Sequence, residues 1–588
     1  MKSKPWVSKK HWIVPGILIG IMLFGAVIRF FNLAGPDLLN DEALYAMRSV
    51  EYFDYIASTN IQTTPIIWFP EHVWWQGLSF HDAPPLVFAV QWFFFKIFGE
   101  TVFASRLPFV LAGLLAIYGT FLLARLMTGN RVAILAAGIM AAMNYHVWIS
   151  RIGFLDGFVI VSVIFSLYFF LRAEKDPRLY LAWGTFVGLG LLTKYTFLFM
   201  GPVFLLMILL WRRNAFRNRW FWTGVGVFLA FISPVIVYNV MMVVTRGHPD
   251  AALSTMIGLH PDDFRGLTRG ASFGLGRIGD ALQGLRWGMG PVVLISLAGA
   301  FLFGIIAWIR HKSRSQNLFI ILLSLTWILL MLGVTGGGDR YGVVVLPFVV
   351  IAVAWAGIAL FAKLQKQLFK ISFLVVSLLL FIWEGIFMVQ SQLLSVPIIS
   401  HTLLVMDSRP EWLGYNALEA LVADFYRRHP DPSYYVFAQT PQIRNYQIDL
   451  IQAIHAKGED RPQQTHMLVF DDRMDWFPTV WIFERRRTYD VAMIPSLTNL
   501  VTAVDERYID KFIEYGFREA TIIITTENTP HETNANADRL ERFAAMLRKQ
   551  YPVSAEIKNA AGEVAFEMFV VPLGPELDSF SEAGRPSP

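Results

Sequence analysis

The feature that most constrains this chain is a series of long apolar runs, separated by short loops that are rich in lysine and arginine. In all, 55% of the 588 residues are apolar and only 16% are charged, which is too apolar for a soluble globule. A run of about 20 apolar residues is long enough to cross a bilayer as a helix. The sequence therefore predicts a polytopic α-helical membrane protein. Its net charge of +5 marks membrane-flanking loops, not a nucleic-acid-binding surface.

The orientation follows from the basic clusters. Residues 1–10 contain four lysines ahead of the first apolar run and no small-residue cleavage pattern, which is typical of an uncleaved signal anchor with a cytoplasmic N-terminus. With that start, about 11 spans place every basic cluster in the cytoplasm, and we expect a multi-pass protein of the plasma membrane. The predicted spans are about 12–31, 107–127, 132–150, 157–171, 179–193, 196–211, 220–243, 290–309, 317–334, 342–362 and 371–391.

The apolar segment 84–98 is predicted to be a helix that lies on the outer membrane surface. Its length does not decide this, because the spans at 157–171 and 179–193 are no longer. Counting it as a span would invert all later loops and place their basic clusters outside, against the positive-inside rule. We therefore expect interfacial helices in the first outer loop.

The C-terminal part of the chain differs from the membrane part in composition. We predict a transmembrane domain at 1–395, an extracytoplasmic α/β domain at 396–575 and a disordered tail at 576–588. The chain has no cysteine, which excludes disulfides, thiol catalysis and cysteine metal sites. The predicted elements of the α/β domain are a juxtamembrane helix at 410–428, strands at 434–437, 467–470, 521–525 and 564–571, and helices at about 502–517 and 535–550.

Several polar residues lie at the predicted outer ends of the membrane spans, and crossing the membrane does not require them. The pair Asp41 and Glu42 is costly if buried without compensation, so it belongs in water or in a polar cavity at the membrane surface. The cations among the others run against the positive-inside bias, and an anionic ligand such as a lipid phosphate would explain them. These residues are Asp41, Glu42, His81, Asp82, Arg106, Arg151, Asp156, Lys194, His248, His260, Asp339, Arg340 and Tyr341.

Six short motifs, in this order, resemble those of the protein O-mannosyltransferase and aminoarabinose transferase superfamily. These are membrane glycosyltransferases of the type C fold that use polyprenyl-phosphate sugars. The resemblance covers about residues 12–390 and says nothing specific about the C-terminal domain. The motifs are Asp41-Glu42, Pro84-Pro85-Leu86, Arg106-Leu107-Pro108, Arg151-x4-Asp156, Leu192-Thr193-Lys194 and Arg340-Tyr341-x5-Pro347.

The resemblance implies a role for each matched residue. Asp41 corresponds to the catalytic aspartate, the general base for the acceptor hydroxyl. The positive charges that would hold the donor phosphate come from three matched positions, and Tyr341 lies beside the last of them. Those positions are Arg106, Lys194 and Arg340. The remaining residues expected at the substrate are Glu42, Asp82, Arg151 and Asp156.

Other interpretations of these residues stay open. Arg151 and Asp156 are equally explained by a salt bridge at a helix mouth, and Lys194 by a lysine that snorkels to the interface. At Asp82 the lysine usual beside the Pro-Pro element is replaced by Ala83, so phosphate contact there is not implied.

The resemblance leaves a divalent metal undecided. The candidate ligands are Asp82, His248 and His260, and ordinary loop histidines are the alternative for the last two.

The predicted function is an inverting glycosyltransferase that moves a sugar from a polyprenyl-phosphate donor to an acceptor on the extracytoplasmic face. A transporter or flippase component for lipid-linked sugars is the alternative, although such proteins place ionisable groups near the bilayer midplane and usually contain repeats. A third possibility is a binding scaffold whose C-terminal domain carries the function. The partners expected are membrane lipid, a lipid-linked sugar, and a protein, lipid or glycan acceptor, with no nucleic acid.

Overall fold

The computed structural model describes residues 13–51, 83–262, 278–310, 320–321, 323–327, 340–406, 409–429, 441–456, 465–506, 508–530, 536–574 and 577. The chain divides into two compact units, described separately below. The first comprises Met1–Leu33, Tyr52–Asp54 and Thr63–Pro410, and the second comprises Ala34–Glu51, Tyr55–Gln62 and Glu411–Pro588.

The elements are mostly helices, as the long apolar runs predict. The described α-helices are α1 (Ile13–Phe30), α2 (Asn40–Glu51), α3 (Leu86–Phe98), α4 (Val102–Thr128), α5 (Asn130–Ala142), α6 (Asn144–Ile149), α7 (Asp156–Arg172), α8 (Tyr180–Thr193), α9 (Met200–Trp211), α10 (Arg219–Arg246), α11 (Ala251–Met256), α12 (Ile278–Arg310), α13 (Leu346–Lys363), α14 (Gln367–Gln392), α15 (Tyr415–Arg428), α16 (Pro441–Ala456), α17 (Trp476–Thr479), α18 (Arg485–Tyr489), α19 (Leu497–Asp505), α20 (Asp510–Glu514) and α21 (Ala537–Gln550). The strands are β1 (His466–Phe470), β2 (Glu519–Thr525), β3 (Ala555–Lys558) and β4 (Val564–Pro572).

Helices in the first unit coincide with the predicted spans where those spans are described, except at 132–150. Five helices within the described ranges are long and apolar enough to cross a bilayer: Ile13–Phe30, Val102–Thr128, Arg219–Arg246, Tyr341–Lys363 and Gln367–Gln392. Most of the predicted span 317–334 lies outside the described residues, so the count of about 11 spans stays a prediction. The segment 84–98 forms α3, a helix of 13 residues, and its place on the outer membrane surface stays a prediction.

One predicted span is broken in the structure. The run 132–150 is divided at Met143 between α5 and α6, because the chain is extended there (φ −60°, ψ 123°). The backbone N–H of Asn144, at the start of α6, donates to Glu384 Oε1 at 2.8 Å. This bond provides an acceptor for a helix N-terminus, and it explains why α14 carries an acidic residue at a buried position.

Helices α8 and α10 approach each other through glycines. A Cβ added at Gly184 would lie 2.0 Å from the carbonyl oxygen of Gly224, and one added at Gly224 would lie 2.2 Å from the carbonyl oxygen of Tyr180. Small residues let helix backbones come this close, which is the usual device for packing helices within a membrane. The contact fixes α8, whose end carries Lys194.

The second unit contains a four-stranded mixed sheet. The strand order is β1-β2-β4-β3, with β1 parallel to β2 and the other pairs antiparallel. The predicted strands at 467–470, 521–525 and 564–571 are confirmed, whereas 434–437 lies outside the described residues. The predicted helix at 502–517 is divided between α19 and α20, and β3 was not predicted.

The segment 34–51, which contains α2, belongs to the second unit even though α1 precedes it directly in sequence. This grouping follows from contacts with residues beyond 410, described below. The predicted domain bounds at 395 and 575 stay predictions. Apart from Leu577, the predicted tail at 576–588 lies outside the described residues.

Candidate active site

A buried ion pair joins two helix ends in the first unit. Asp156 is the first residue of α7, and Lys194 directly follows α8. The Lys194 Nζ donates to both carboxylate oxygens, at 2.9 Å to Oδ1 and 2.8 Å to Oδ2, with side-chain exposures of 1% for Asp156 and 15% for Lys194. Asp156 thus pairs with Lys194 and not with Arg151, and a simple snorkelling lysine does not account for this geometry.

Aromatic rings complete what we call the Lys194 cluster: Phe154, Asp156, Lys194, Arg340 and Tyr341. The Lys194 Nζ lies 4.2 Å from the Tyr341 ring centroid. The Arg340 Cζ lies 5.2 Å from both the Phe154 and the Tyr341 ring centroids, and its Nη2 is 3.4 Å from the Tyr341 hydroxyl oxygen. A cation over the face of an aromatic ring is attracted by the negative charge of that face.

The charge balance of the cluster favours an anionic ligand. Two cations and one carboxylate leave a net positive charge at the outer ends predicted for these helices. Both Asp156 oxygens accept from Lys194, so proton abstraction by Asp156 would first have to break the ion pair. The arrangement is therefore suited to binding a phosphate rather than to base catalysis.

Two further predicted residues, Arg106 and Arg151, contact the end of α1. The Arg151 Nη1 donates to the carbonyl oxygens of Ile28, Arg29 and Phe31 at 2.6, 3.2 and 2.7 Å. The Arg106 Nη1 donates to the carbonyl oxygen of Leu33 at 3.0 Å. The last carbonyls of a helix lack intrahelical donors, and Arg151 supplies one to those of Ile28 and Arg29. The bonds to Phe31 and Leu33 hold the turn that follows α1.

Both arginines are almost completely buried, with exposures of 1% for Arg106 and 3% for Arg151. Burial, together with the nearby Arg106 charge, lowers the pKa of Arg151 to about 10. Arg151 therefore stays protonated at neutral pH, and the two side chains add positive charge to the loop that leads to Phe154 and Asp156.

The acidic pair opens α2 in the second unit. Asp41 and Glu42 lie in the first turn of that helix, where the positive end of the helix dipole stabilises carboxylates. Glu42 is 2% exposed, whereas Asp41 is only half-buried and is thus the more accessible of the two. The catalytic role of Asp41 stays a prediction.

The metal candidates do not form a site in the part of the chain that the structure describes. His248 is buried, with its Nδ1 2.8 Å from the carbonyl oxygen of Pro249, and His260 is exposed. Among the described residues, no group of three or more histidine, aspartate or glutamate side chains could hold an ion. Asp82 lies outside those residues, and its role stays a prediction.

A polar network beside Lys194 was not predicted. The Tyr195 hydroxyl donates to Asp250 Oδ2 at 2.5 Å, and the Asn239 Nδ2 donates to the same oxygen at 2.9 Å. Asp250 also caps α11 by accepting from the Leu253 backbone N–H at 2.8 Å. These bonds fasten the loop after α10 to the residue next to Lys194. Tyrosine and asparagine within apolar segments gave no sequence signal for this.

An apolar groove of about 590 Å³ adjoins that network. It runs along α10, and Leu253 of α11 also lines it. Its walls include Leu191, Tyr195, Ile236, Val240, Val244 and Leu253. Tyr195, which lines the groove, directly follows Lys194 in the chain.

Residues 82–238 match the family model described as dolichyl-phosphate-mannose-protein mannosyltransferase. The predicted family resemblance is confirmed. The matched segment contains Arg106, Arg151, Asp156 and Lys194. No curated protein sequence matches the chain.

Solved structures support the same fold over nearly the whole chain. The crystal structure of ArnT from Cupriavidus metallidurans in the apo state is 14% identical, covers 97% of this chain and 99% of its own, and has a TM-score of 0.52. The structure of the same protein bound to undecaprenyl phosphate is 15% identical, with the same coverage and a TM-score of 0.53. This likeness confirms a multi-helix fold that carries a C-terminal sheet domain.

Proposed function

We propose that this chain is an inverting glycosyltransferase that moves a sugar from a polyprenyl-phosphate donor to an acceptor on the extracytoplasmic face of the membrane. The family match and the fold support a polyprenyl-phosphate-dependent membrane glycosyltransferase. The observation that carries the proposal is the Lys194 cluster, in which two cations are held on aromatic faces beside a buried carboxylate. The fold is that of ArnT, which has been crystallised with undecaprenyl phosphate.

The proposed reaction is a single displacement at the anomeric carbon. Asp41 accepts the proton of the acceptor hydroxyl as the new bond from oxygen to carbon forms. The bond from that carbon to the phosphate oxygen breaks, and polyprenyl phosphate leaves with the electron pair. Lys194 and Arg340 stabilise the charge that develops on the departing phosphate. One displacement inverts the anomeric configuration, so no covalent sugar intermediate is needed.

The remaining predicted residues have supporting parts in this proposal. Asp156 orients the Lys194 ammonium, and Tyr341 offers its ring to both cations. Arg151 and Arg106 contribute positive charge while they hold the end of α1 and the turn after it. Glu42 and Asp82 are proposed to lie near the substrate. The need for a divalent metal stays undecided in this proposal.

We propose that the apolar groove along α10 accommodates the isoprenoid chain of the donor. Its lining is hydrocarbon at almost every position, which matches a polyprenyl chain but not a sugar. Its Tyr195 end adjoins Lys194, so a lipid in the groove would present its phosphate toward the cluster.

The test is donor binding and sugar transfer by the full-length protein in membranes. Lys194→Met and Arg340→Ala should each weaken binding of polyprenyl phosphate by at least about tenfold, since each removes a charge-assisted contact. Arg217→Ala, at an exposed position in a predicted cytoplasmic loop, serves as the matched control. If both cluster variants bind polyprenyl phosphate with wild-type affinity, the phosphate does not bind at this site. A product with the donor's anomeric configuration would refute the single displacement.

The proposed orientation has its own test. Because the chain lacks cysteine, single cysteines can be introduced without background labelling. An impermeant thiol reagent applied to intact cells should modify Ser581→Cys and spare Ser313→Cys. The reverse pattern would place the C-terminal domain in the cytoplasm and contradict the proposed face of the reaction.

A further inference from the structure

Asp37 caps a helix that begins almost four hundred residues later in the chain. Its Oδ2 accepts the backbone N–H groups of Leu413 and Gly414, at 2.5 and 2.9 Å, and its Oδ1 accepts that of Asn416 at 2.8 Å. The side chain is buried, with 4% exposure. Helix α15 begins at Tyr415, so the carboxylate lies at the N-terminus of this helix.

Helix α15 needs this acceptor because its own cap position is glycine. Gly414 adopts φ +102° and has no side chain that could accept from the first turn. The first N–H groups of a helix require an outside acceptor, and a carboxylate there also interacts favourably with the helix dipole. Asp37 provides both the acceptor and the negative charge, although it lies 376 to 379 positions earlier in the chain.

Asn416 holds the same segment from the other side. Its Nδ2 lies 2.9, 3.1 and 2.8 Å from the carbonyl oxygens of Ala34, Gly35 and Pro36. The Asp37 backbone N–H donates to the carbonyl oxygen of Glu411 at 2.8 Å. The segment 34–37 is therefore tied down at the backbone and at the side chain.

The helix that carries Asp41 starts three residues after Asp37. Its first residue, Asn40, adopts φ +54°, a left-handed conformation that turns the chain sharply and that asparagine tolerates better than most residues. Near the other end, the Tyr489 hydroxyl donates to the carbonyl oxygen of Met47 at 3.0 Å. Nearly all side chains between these points are buried. Helix α2 is thus fixed at both ends by residues of the sheet-containing unit.

We propose that Asp37 is a positioning residue for the Asp41 helix, and that the C-terminal sheet domain acts as the scaffold on which this helix is mounted. The inference rests on the proposed function in one respect only, the assignment of Asp41 as the base. It means that deleting the C-terminal domain would also release α2. Loss of transfer after such a deletion would therefore not locate the active site in the sheet domain.

The experiment compares Asp37→Asn with Asp472→Asn in the full-length protein. The control is matched because Asp472 also accepts a backbone N–H, that of Thr498 at 2.9 Å, near the start of α19. The first measurement is amide hydrogen exchange of peptides covering 38–50. Asp37→Asn should speed exchange there by at least about tenfold, because the anchor of α2 is weakened. Asp472→Asn should leave these peptides unchanged.

The second measurement is sugar transfer, normalised to folded protein that binds polyprenyl phosphate. Misplacing a catalytic group by about 1 Å can cost on the order of 10²-fold in rate, so Asp37→Asn should lower kcat by about that factor. The donor KM should stay at the wild-type value, and the normalisation to folded protein keeps any loss of folded molecules from lowering the measured kcat. If Asp37→Asn does not fold, Asn416→Ala tests the same anchor through the three carbonyl contacts.

The outcomes separate this inference from the proposed function. Unchanged exchange over 38–50 in both anchor variants would overturn the positioning role, whatever Asp41 does. Faster exchange with undiminished kcat, while Asp41→Asn abolishes transfer, would also overturn it. If Asp41→Asn itself retains full transfer, the base assignment fails, and the exchange data still decide whether Asp37 anchors α2.

Discussion

Replacing Asp156 by asparagine removes the charge that neutralises a nearly buried lysine. The Lys194 Nζ lies 2.8 Å from Asp156 Oδ2, and Coulomb's law at an effective dielectric constant of about 20 gives roughly 6 kcal/mol for two charges at that distance. Breaking a buried ion pair from one side typically costs about 3–5 kcal/mol. Since the Lys194 side chain keeps 15% exposure and contacts the Tyr341 ring, we expect the lower end, about 3 kcal/mol.

The quantity to measure is the free energy of unfolding of the protein in mixed micelles, obtained by denaturant titration. Asp156→Asn should lower it by about 3 kcal/mol, and the double variant Asp156→Asn with Lys194→Met should recover most of that loss, because no unpaired charge is then left behind. The control is Glu174→Gln, which breaks the pair between Arg212 and Glu174. That pair also measures 2.8 Å, but Glu174 is 71% exposed, so its loss should cost at most about 1 kcal/mol.

Measuring lipid binding separates the contribution of the Asp156–Lys194 pair to stability from its proposed role in binding the donor phosphate. Asp156→Asn keeps the Lys194 ammonium and should retain polyprenyl phosphate binding, whereas the double variant should be stable and bind weakly. If Asp156→Asn were as stable as the wild type, the claim that the buried ion pair stabilises the protein would be refuted. A double variant no more stable than Asp156→Asn would refute the electrostatic explanation of its cost.

Three further variants test how the surrounding structure is built. Arg151→Met leaves the carbonyls of Ile28, Arg29 and Phe31 without their donor, and it should lower the free energy of unfolding by about 3 kcal/mol in the same titration; a change below about 0.5 kcal/mol would contradict those bonds. Gly184→Ala forces α8 away from α10 and should cost about 1–3 kcal/mol, whereas Gly226→Ala, with open space at its Cβ, should be neutral or stabilising; equal effects would mean that the helices are not in glycine contact. Asn40→Val should cost about 1–3 kcal/mol at φ +54° and Asn40→Gly less than about 0.5 kcal/mol; equal values would contradict the left-handed turn.

The sequence predicts those features that depend on composition and on the ends of helices. Apolar runs and basic clusters identify the helices, and motif residues at neighbouring helix ends identify most of the Lys194 cluster. The partner of Asp156 was not predictable, because Arg151 and Lys194 are both cations of suitable reach. The structure resolves the choice by directing Arg151 to the α1 carbonyls. Phe154 was missed because an aromatic residue at a helix end usually belongs to the core.

Contacts between distant parts of the chain could not be predicted. Asp37 lies in an ordinary Gly-Pro-Asp turn, and the helix it caps begins almost four hundred residues later, so no local pattern connects them. The network of Tyr195, Asn239 and Asp250 likewise depends on how α10 packs. The assignment of 34–51 to the second unit depends on such contacts, and it changes how a domain deletion should be interpreted.

The central claim is that Asp41 is the general base, and the most direct test is transfer of radiolabelled sugar by Asp41→Asn in membranes, with protein level and donor binding measured in parallel. The variant keeps the shape of the side chain but cannot accept the proton, so turnover should fall by about 10² to 10⁴ fold while polyprenyl phosphate still binds. Glu42→Gln should lose less turnover per folded molecule, since Glu42 is buried and Asp41 is the accessible carboxylate. Near wild-type turnover in Asp41→Asn would show that this carboxylate is not the base, and the account of the reaction would be wrong at its central residue.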